Sequence, residues 1–288
     1  MEGDMVLTPL VLLLALNPEE TRALMQRVAE NLEKASAARS QYVYMQSSHA
    51  RLLRGKSKVA REEKRTYRVT PQPGSTEFHL TSFTGTYWKG KEPIPYNSPE
   101  FRVKDMDLDG ELLEDFAADH IARPSSKDGI GFQQFALRKQ DIADYHFHLL
   151  REERVDGRKA VTIRLEPRVK DWDHLWSGEA TIDLEDEFPV RLASEMNRKL
   201  PWGVRAFLGT DLKQLGYSAT FKRHARGVWF PQSFGTEFQL RLFWGYARTL
   251  TLSMETFGFQ KTSTDSKIKF EEPEEPLELL FDRSPDLL

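Results

Sequence analysis

The first patterned region of the chain repeats its apolar residues every three to four positions. One stripe collects Leu24, Val28, Leu32 and Ala35, and this spacing is typical of an amphipathic helix. Asn17 precedes Pro18 and Glu20, so the Asn17 side chain can accept a free amide hydrogen and Glu20 can complete a capping box. The sequence therefore predicts a helix from Pro18 to Ala37.

After this helix the apolar residues alternate with polar ones, which is the period of a β-strand. A first strand opens at residues 42–45, and a second, from Val59 to Val69, carries charges at Arg61, Glu63 and Arg65. From Tyr145 onward strand patterns follow one another at turn spacing, and Asp156-Gly157 is typical of a tight hairpin turn. Because no long helix separates these strands, the pattern predicts an antiparallel meander rather than a parallel α/β sheet.

Helical patterns interrupt the two runs of strands. A proline-rich stretch within residues 90–126 leads to apolar residues at helical spacing, namely Leu112, Leu113, Phe116, Ala117 and Ile121. Pro124 ends this pattern. A second, weaker one holds Phe132, Phe135 and Leu137. These segments predict helices inserted between two meanders, and the spacing leaves open whether the meanders form one sheet or two.

The two ends of the chain differ from the middle. Residues 5–16 read MVLTPLVLLLAL, which is too short for an ordinary transmembrane helix but suits the apolar core of a signal peptide. We therefore predict a signal peptide at residues 1–16, with a buried strand or helix as the alternative. Prolines and clustered glutamates at 271–288 predict a solvated acidic tail, and the alternative is a docking strap that uses Leu279, Leu280 and Phe281.

Composition excludes several classes of function. The net charge is -3, without the basic excess of a nucleic-acid-binding protein. The chain has no cysteine, which excludes disulfides, thiol catalysis, cysteine-bound zinc and a lipid-anchoring cysteine. None of the common nucleophile, zinc-protease, phosphate-loop or dinucleotide motifs is present in the sequence. We therefore expect a protein that is not an enzyme and that needs no cofactor.

Three places in the chain resemble the periplasmic outer-membrane lipoprotein-carrier, or lipoprotein-sorting, superfamily. NLEKASAARSQYVYMQ, which ends at Gln46, is similar to the family's opening helix and first strand. SGEATIDLEDEFPVRL, at 177–192, is similar to a hairpin of that family, and the later meander is similar as a whole. The resemblance implies one α+β, β-rich domain at residues 17–270, in which a curved antiparallel sheet forms an open half-barrel. The N-terminal and inserted helices would pack in or against its concave face.

The resemblance also implies a function. Proteins of this superfamily take acyl chains into the hollow of the half-barrel, so we expect a binding or carrier protein of the cell envelope. Its partner would be a lipid, a lipidated protein or another apolar ligand, and its location periplasmic or otherwise exported. Aromatic and aliphatic residues of the later strands are the candidates to line the ligand site: Phe230, Phe234, Phe238, Leu240, Leu242 and Trp244. Their alternation fits a filled core equally well.

Two other functions fit particular segments. The stretch 200–216 carries apolar residues beside cations, Leu200, Trp202, Phe207 and Leu208. As an exposed loop it could bind an envelope protein or a membrane surface, which would make the protein a sensor or scaffold. Alternatively the loop folds back over the open end of the sheet.

A metal-dependent enzyme is the other alternative, and it would use His146, His148 and His174. Two histidines at strand spacing share one face and need a third ligand. Separately, Asp105 to Gly110 reads D-x-D-x-D-G, like the start of a calcium loop, but the twelfth position is Phe116. The alternative interpretation is that Asp109 caps the following helix.

Overall fold

The computed structural model describes residues 16–55, 57–104, 107–122, 137–168, 176–196, 215–225, 227–241 and 246–262. Two helices are present in these ranges, α1 (Pro18–Arg39) and α2 (Leu108–His120), with a single 3-10 turn at Ile142–Asp144. The strands before α2 are β1 (Tyr42–Arg54), β2 (Lys58–Gln72), β3 (Ser75–Lys89) and β4 (Glu92–Tyr96). The strands after it are β5 (Tyr145–Val155), β6 (Arg158–Pro167), β7 (Trp176–Asp183), β8 (Phe188–Met196), β9 (Leu215–Ala225), β10 (Val228–Arg241) and β11 (Ala247–Lys261).

The helix α1 begins where the sequence predicts it. The Asn17 side chain accepts a hydrogen bond from the Glu20 amide, and Glu20 accepts one from the Asn17 amide, so the predicted capping box is confirmed. The helix ends at Arg39, one half-turn later than Ala37. Its predicted apolar stripe is buried, together with Met25 and Ala29.

All the described strands belong to one antiparallel sheet. Its order is β4-β3-β2-β1-β11-β10-β9-β8-β7-β6-β5, so the first and last strands of the chain meet in the middle. Residues from Tyr42 to Leu53 on β1 pair with residues from Lys261 to Thr249 on β11. Because β4 and β5 remain at opposite edges, the sheet is open rather than a closed barrel. The two meanders therefore form one sheet.

The helices pack against different parts of this sheet. The helix α1 packs on β5, β8 and β10, whereas α2 packs on β1 and β2. Buried apolar side chains of both helices and of most strands form one hydrophobic core. We call the face that carries this core the inner face. Among the described residues, no helix combines the length and apolar character needed to cross a bilayer.

The segment between β3 and β5 departs in part from the sequence pattern. The proline-rich stretch after residue 90 includes an edge strand, β4, in which Pro93 and Pro95 pair with Trp88 and Thr86. Proline is tolerated there because an edge strand needs no amide hydrogen on its outer side. The first inserted helix is confirmed as α2, whereas Phe132 and Phe135 of the second pattern lie outside the described residues.

The capping box gives a first test of α1. We expect Asn17→Ala to lower the free energy of unfolding by about 1 kcal/mol, because an amide of the first turn loses its acceptor. Glu30→Ala is the matched control, since Glu30 is exposed in the same helix and alanine is a good helix former. Urea unfolding followed by circular dichroism would measure the free energy of unfolding of both variants. Equal stability of the two variants would contradict a role for the cap.

Candidate functional site

The inner face changes its chemistry from one strand to the next across the middle of the sheet. One row of opposed residues runs Phe234, Met254, Ser48, Arg65, and the adjacent row runs Thr236, Leu252, Ala50, Glu63. Directly opposed residues share a face of the sheet. The face is therefore mainly apolar on β10 and β11, carries small side chains on β1, and is charged on β2.

The apolar half contains the predicted ligand-lining residues that the structure describes. Phe230 is 1% exposed, and its ring centroid lies 4.0 Å from that of Phe259 and 5.7 Å from that of Tyr44. Phe234 is buried, and its ring lies 5.8 Å from that of Tyr217. Both residues lie in the hydrophobic core. The side chains of Phe238 and Leu240, and all of Leu242 and Trp244, lie outside the described residues, so the lining remains a prediction.

The charged half consists of a buried cluster that we call the ionic cluster, made of Arg61, Glu63, Arg65, Tyr96 and Asp107. Glu63 is 2% exposed and lies between two arginines. Arg65 Nη2 donates to Glu63 Oε2 at 2.6 Å, and Arg61 Nε lies 3.3 Å from Glu63 Oε1. The Tyr96 hydroxyl donates to the same Oε1 at 2.6 Å. Glu63 is thus the shared acceptor of the cluster.

Arg61 extends the ionic cluster to α2. Its Nη1 donates to Asp107 Oδ2 at 2.6 Å, its Nη2 donates to the Phe101 carbonyl at 3.0 Å, and its Nε donates to the Tyr96 hydroxyl at 2.7 Å. The two arginines are balanced by the two carboxylates. A buried charge is tolerable only when it is paired and hydrogen-bonded, and this cluster meets that condition.

The surroundings of the ionic cluster perturb the acidity of its members. Burial raises the pKa of Tyr96 far above its ordinary value, and the neighbouring carboxylate of Glu63 raises it further. Burial alone would lower the pKa of Arg61, but contacts with Tyr96 and the two carboxylates raise it overall. Tyr96 therefore stays a neutral hydrogen-bond donor and Arg61 stays charged. Every polar group is engaged, which suits a structural role rather than proton transfer.

Two aspartates anchor the start of α2 to the sheet. Asp107 is the residue that caps the helix, because its Oδ1 accepts from the Gly110 amide at 3.1 Å. The interpretation of Asp109 as the cap is therefore wrong by half a turn. Asp109 instead accepts hydrogen bonds from Arg248 Nε at 2.8 Å and from the Tyr246 hydroxyl at 2.7 Å, and it lies 3.3 Å from Arg54 Nη2.

These contacts also argue against the interpretation of residues 105–110 as the start of a calcium loop. Both described carboxylates of the motif, Asp107 and Asp109, bind arginines, whereas a calcium loop needs them free to converge on a cation. Asp105 lies outside the described residues. Burial alone would raise the pKa of Asp109, but hydrogen bonds from Arg248 and Tyr246 lower it below its usual value. The carboxylate is therefore kept charged.

The proposed metal ligands lie elsewhere. His146 and His148 are exposed on β5, with ring centroids 6.1 Å apart. His174 lies outside the described residues. Within the part of the chain that the structure describes, no group of three metal-binding side chains comes together. The loop residues Leu200, Trp202, Phe207 and Leu208 also lie outside the described residues, so the loop's role stays a prediction.

Sequence reasoning missed the ionic cluster, although a signal was present. Arg61, Glu63 and Arg65 alternate with more exposed neighbours and share their phase with Tyr67 and Val69, which are buried. Because every second residue of a strand points to the same face, the apolar end of β2 assigns the charged residues to the inner face. Tyr96 and Asp107 carried no such signal, since they reach the cluster from distant positions.

Comparison with known proteins gives matches among solved structures. No family model and no curated protein matches the sequence. A putative outer membrane lipoprotein-sorting protein domain from Vibrio parahaemolyticus is 12% identical, with a TM-score of 0.36 over 87% of this chain and 96% of that one. A DUF1329 family protein from Desulfovibrio piger is 15% identical, with a TM-score of 0.36 over 89% and 98%.

A further solved structure, MucB, is 13% identical, with a TM-score of 0.26 over 80% of this chain and 92% of MucB. At such identities the likeness concerns the fold alone. The structure is thus similar to that of a lipoprotein-sorting protein domain, which belongs to the class of protein that the sequence resembles. The β-rich, open antiparallel fold is confirmed.

The ionic cluster predicts that substitutions of two adjacent glutamates change the free energy of unfolding by very different amounts. We expect Glu63→Gln to lower the free energy of unfolding by about 3 kcal/mol, because two buried arginines lose their shared counter-charge. Glu62→Gln should change it by less than about 0.5 kcal/mol, since the contact of Glu62 with His49 is partly exposed to solvent. Urea unfolding would compare them, and a small effect of Glu63→Gln would argue against the cluster as described.

The lowered pKa of Asp109 predicts a pH dependence. Its folded pKa lies below the ordinary value of 3.8, so its stabilisation is complete above that value and is lost as pH falls through the folded pKa. The difference in unfolding free energy between wild type and Asp109→Asn should therefore be constant near neutral pH and shrink in acid. Unfolding titrations down to about pH 2 would measure it. A difference that grew in acid would contradict the assignment.

Proposed function

We propose that this chain is an exported binding protein that holds an apolar ligand, a lipid or the lipid group of a lipidated protein, against the inner face of its half-barrel. The observation that carries the proposal is the apolar strip of β10 and β11. Its inward-facing residues include Phe234, Leu250, Leu252 and Met254. In the sheet order, β11 lies between β10, where α1 packs, and β1, where α2 packs.

This arrangement supports ligand binding because the two helices rest on separate parts of one sheet. The side chains of β1 next to the strip are small, Ser48 and Ala50, so a chain-like ligand on the strip would meet little steric hindrance from β1. Each methylene of an acyl chain that is buried contributes about 0.8 kcal/mol to the binding free energy. Ten methylenes therefore contribute about 8 kcal/mol, which is equivalent to micromolar affinity. No chemical step is required of the protein.

The charged residues of the inner face support the same conclusion. A catalytic acid or base must reach a substrate, with its proton free to move. In the ionic cluster the carboxylates of Glu63 and Asp107 are instead bound to arginines and a tyrosine. The apolar run at 5–16 supports export through its likeness to a signal peptide.

Native mass spectrometry of the full-length protein, purified without detergent, tests this proposal directly. We expect an additional mass that is released as lipid when the protein is denatured. If the apo protein is obtained, added fatty acids or phospholipids should restore a bound species. An apo mass that no lipid changes would overturn the proposal and favour a protein-binding scaffold.

A pair of neighbouring substitutions locates the ligand. Met254→Trp should weaken lipid binding by about tenfold or more, because the indole would fill the strip on the inner face. Ser253→Trp is the matched control, since Ser253 is the exposed neighbour on the opposite face of β11. Met254→Leu, which keeps the volume, should retain binding. Equal effects of the two tryptophan variants, in proteins with unchanged melting temperatures, would place the ligand elsewhere.

A further inference from the structure

A charged cleft opens at the end of the sheet where β3, β1 and β11 meet the start of α2. The cleft has a volume of about 480 Å³, and its lining includes Arg54, Lys89 and Lys104. Arg61 and Asp107 of the ionic cluster also line it, so the cleft adjoins the charged end of the inner face.

The cleft carries an excess of positive charge in a protein that is acidic overall. Of the described residues that line it, five are cationic and two, Asp107 and Asp109, are carboxylates, while the whole chain has a net charge of -3. Asp107 is neutralised by Arg61, and Asp109 by Arg248. Arg54 has only a 3.3 Å contact with the already paired Asp109, and Lys89 and Lys104 are exposed.

Apolar residues lie beside these cations. Val103 and Leu108 are each 43% exposed and both line the cleft. They are two of the four large hydrophobic residues that are exposed in the part of the chain that the structure describes. Trp88 lines the cleft as well. A surface that combines exposed cations with exposed apolar side chains complements a molecule with an anionic group and an apolar body.

We infer that this cleft binds the anionic group of an amphiphilic ligand, a phosphate or a carboxylate, whose apolar chain lies on the strip of β10 and β11. The inference rests on the proposed function and narrows its ligand to anionic amphiphiles. Lys89 and Lys104 supply the charge that selects the anion, and Arg54 lines the same cleft. The inner face changes from apolar on β11 to charged on β2, so a ligand whose chain lies on the strip would have its anionic group towards the charged side.

The test compares two probes with the same chain, a fluorescent long-chain fatty acid and its methyl ester, which differ only in the charge of the head group. Wild-type protein should bind the acid about tenfold more tightly than the ester, and added salt should reduce that preference. The double variant Lys89→Gln/Lys104→Gln should lose the preference while it binds the ester as before. Lys64→Gln/Lys222→Gln is the matched control, since both lysines are exposed on other strands.

The outcomes separate this inference from the proposed function. Equal affinity for both probes, or a preference that survives Lys89→Gln/Lys104→Gln, would overturn the role of the cleft and leave the apolar site standing. Failure to bind either probe would overturn the proposed function and this inference together. Inorganic phosphate provides a third arm. Millimolar phosphate that weakens binding of the acid but not of the ester supports a shared anion site, whereas phosphate binding without any amphiphile binding would assign the cleft to a soluble anion.

Discussion

The pairing of β1 with β11 is the contact on which the rest of the structure depends. It joins residues from opposite ends of the described chain, from Tyr42 with Lys261 to Leu53 with Thr249, and so converts two meanders into one sheet. Without it, β1 to β4 would form a four-stranded sheet separate from the remaining strands. The pairing also places the small residues of β1 between an apolar strand and a charged one, which gives the inner face its two chemistries.

The ionic cluster shows how a sheet can bury charge on the face that carries its core. Two arginines and two carboxylates balance each other, and the Tyr96 hydroxyl accepts from Arg61 and donates to Glu63. The Tyr96 ring needs space next to the sheet, and Gly85 provides it, since a β-carbon at that position would lie 2.1 Å from the ring. Such a network is a weak source of net stability but a strong source of specificity, because any other register would leave buried charges unpaired.

The same cluster connects the architecture to the proposed function. Arg61 reaches Asp107 at the start of α2, and Arg248 reaches Asp109 half a turn later, so charge rather than apolar packing fixes this end of the helix. At its other end, the Gln46 side chain donates to the Ile121 carbonyl at 2.8 Å. These polar contacts hold α2 over β1 and β2, beside the buried apolar residues of β11. The cleft beside Lys89 and Lys104 lies next to the same anchor.

Local signals were enough for the sequence to determine most of the elements. The capping box at Asn17 and Glu20 set the start of α1, and Asp156-Gly157 formed the predicted turn with φ angles of 51° and 81°. Alternation identified most strands because a half-buried sheet imposes a period of two. These features depend on residues only a few positions apart, so they can be read directly from the chain.

Only the tertiary structure decided what distant residues do together. The sequence could not show that β1 meets β11, since strand pairing across some two hundred residues leaves no local trace. For the same reason the partners of Asp109 could not be assigned. Arg248 and Tyr246 lie 139 and 137 residues away, and a carboxylate near a helix start satisfies a cap and an ion pair equally well. Alternation places the charges of β2 on one face, and only the register with the neighbouring strands shows which residues they meet there.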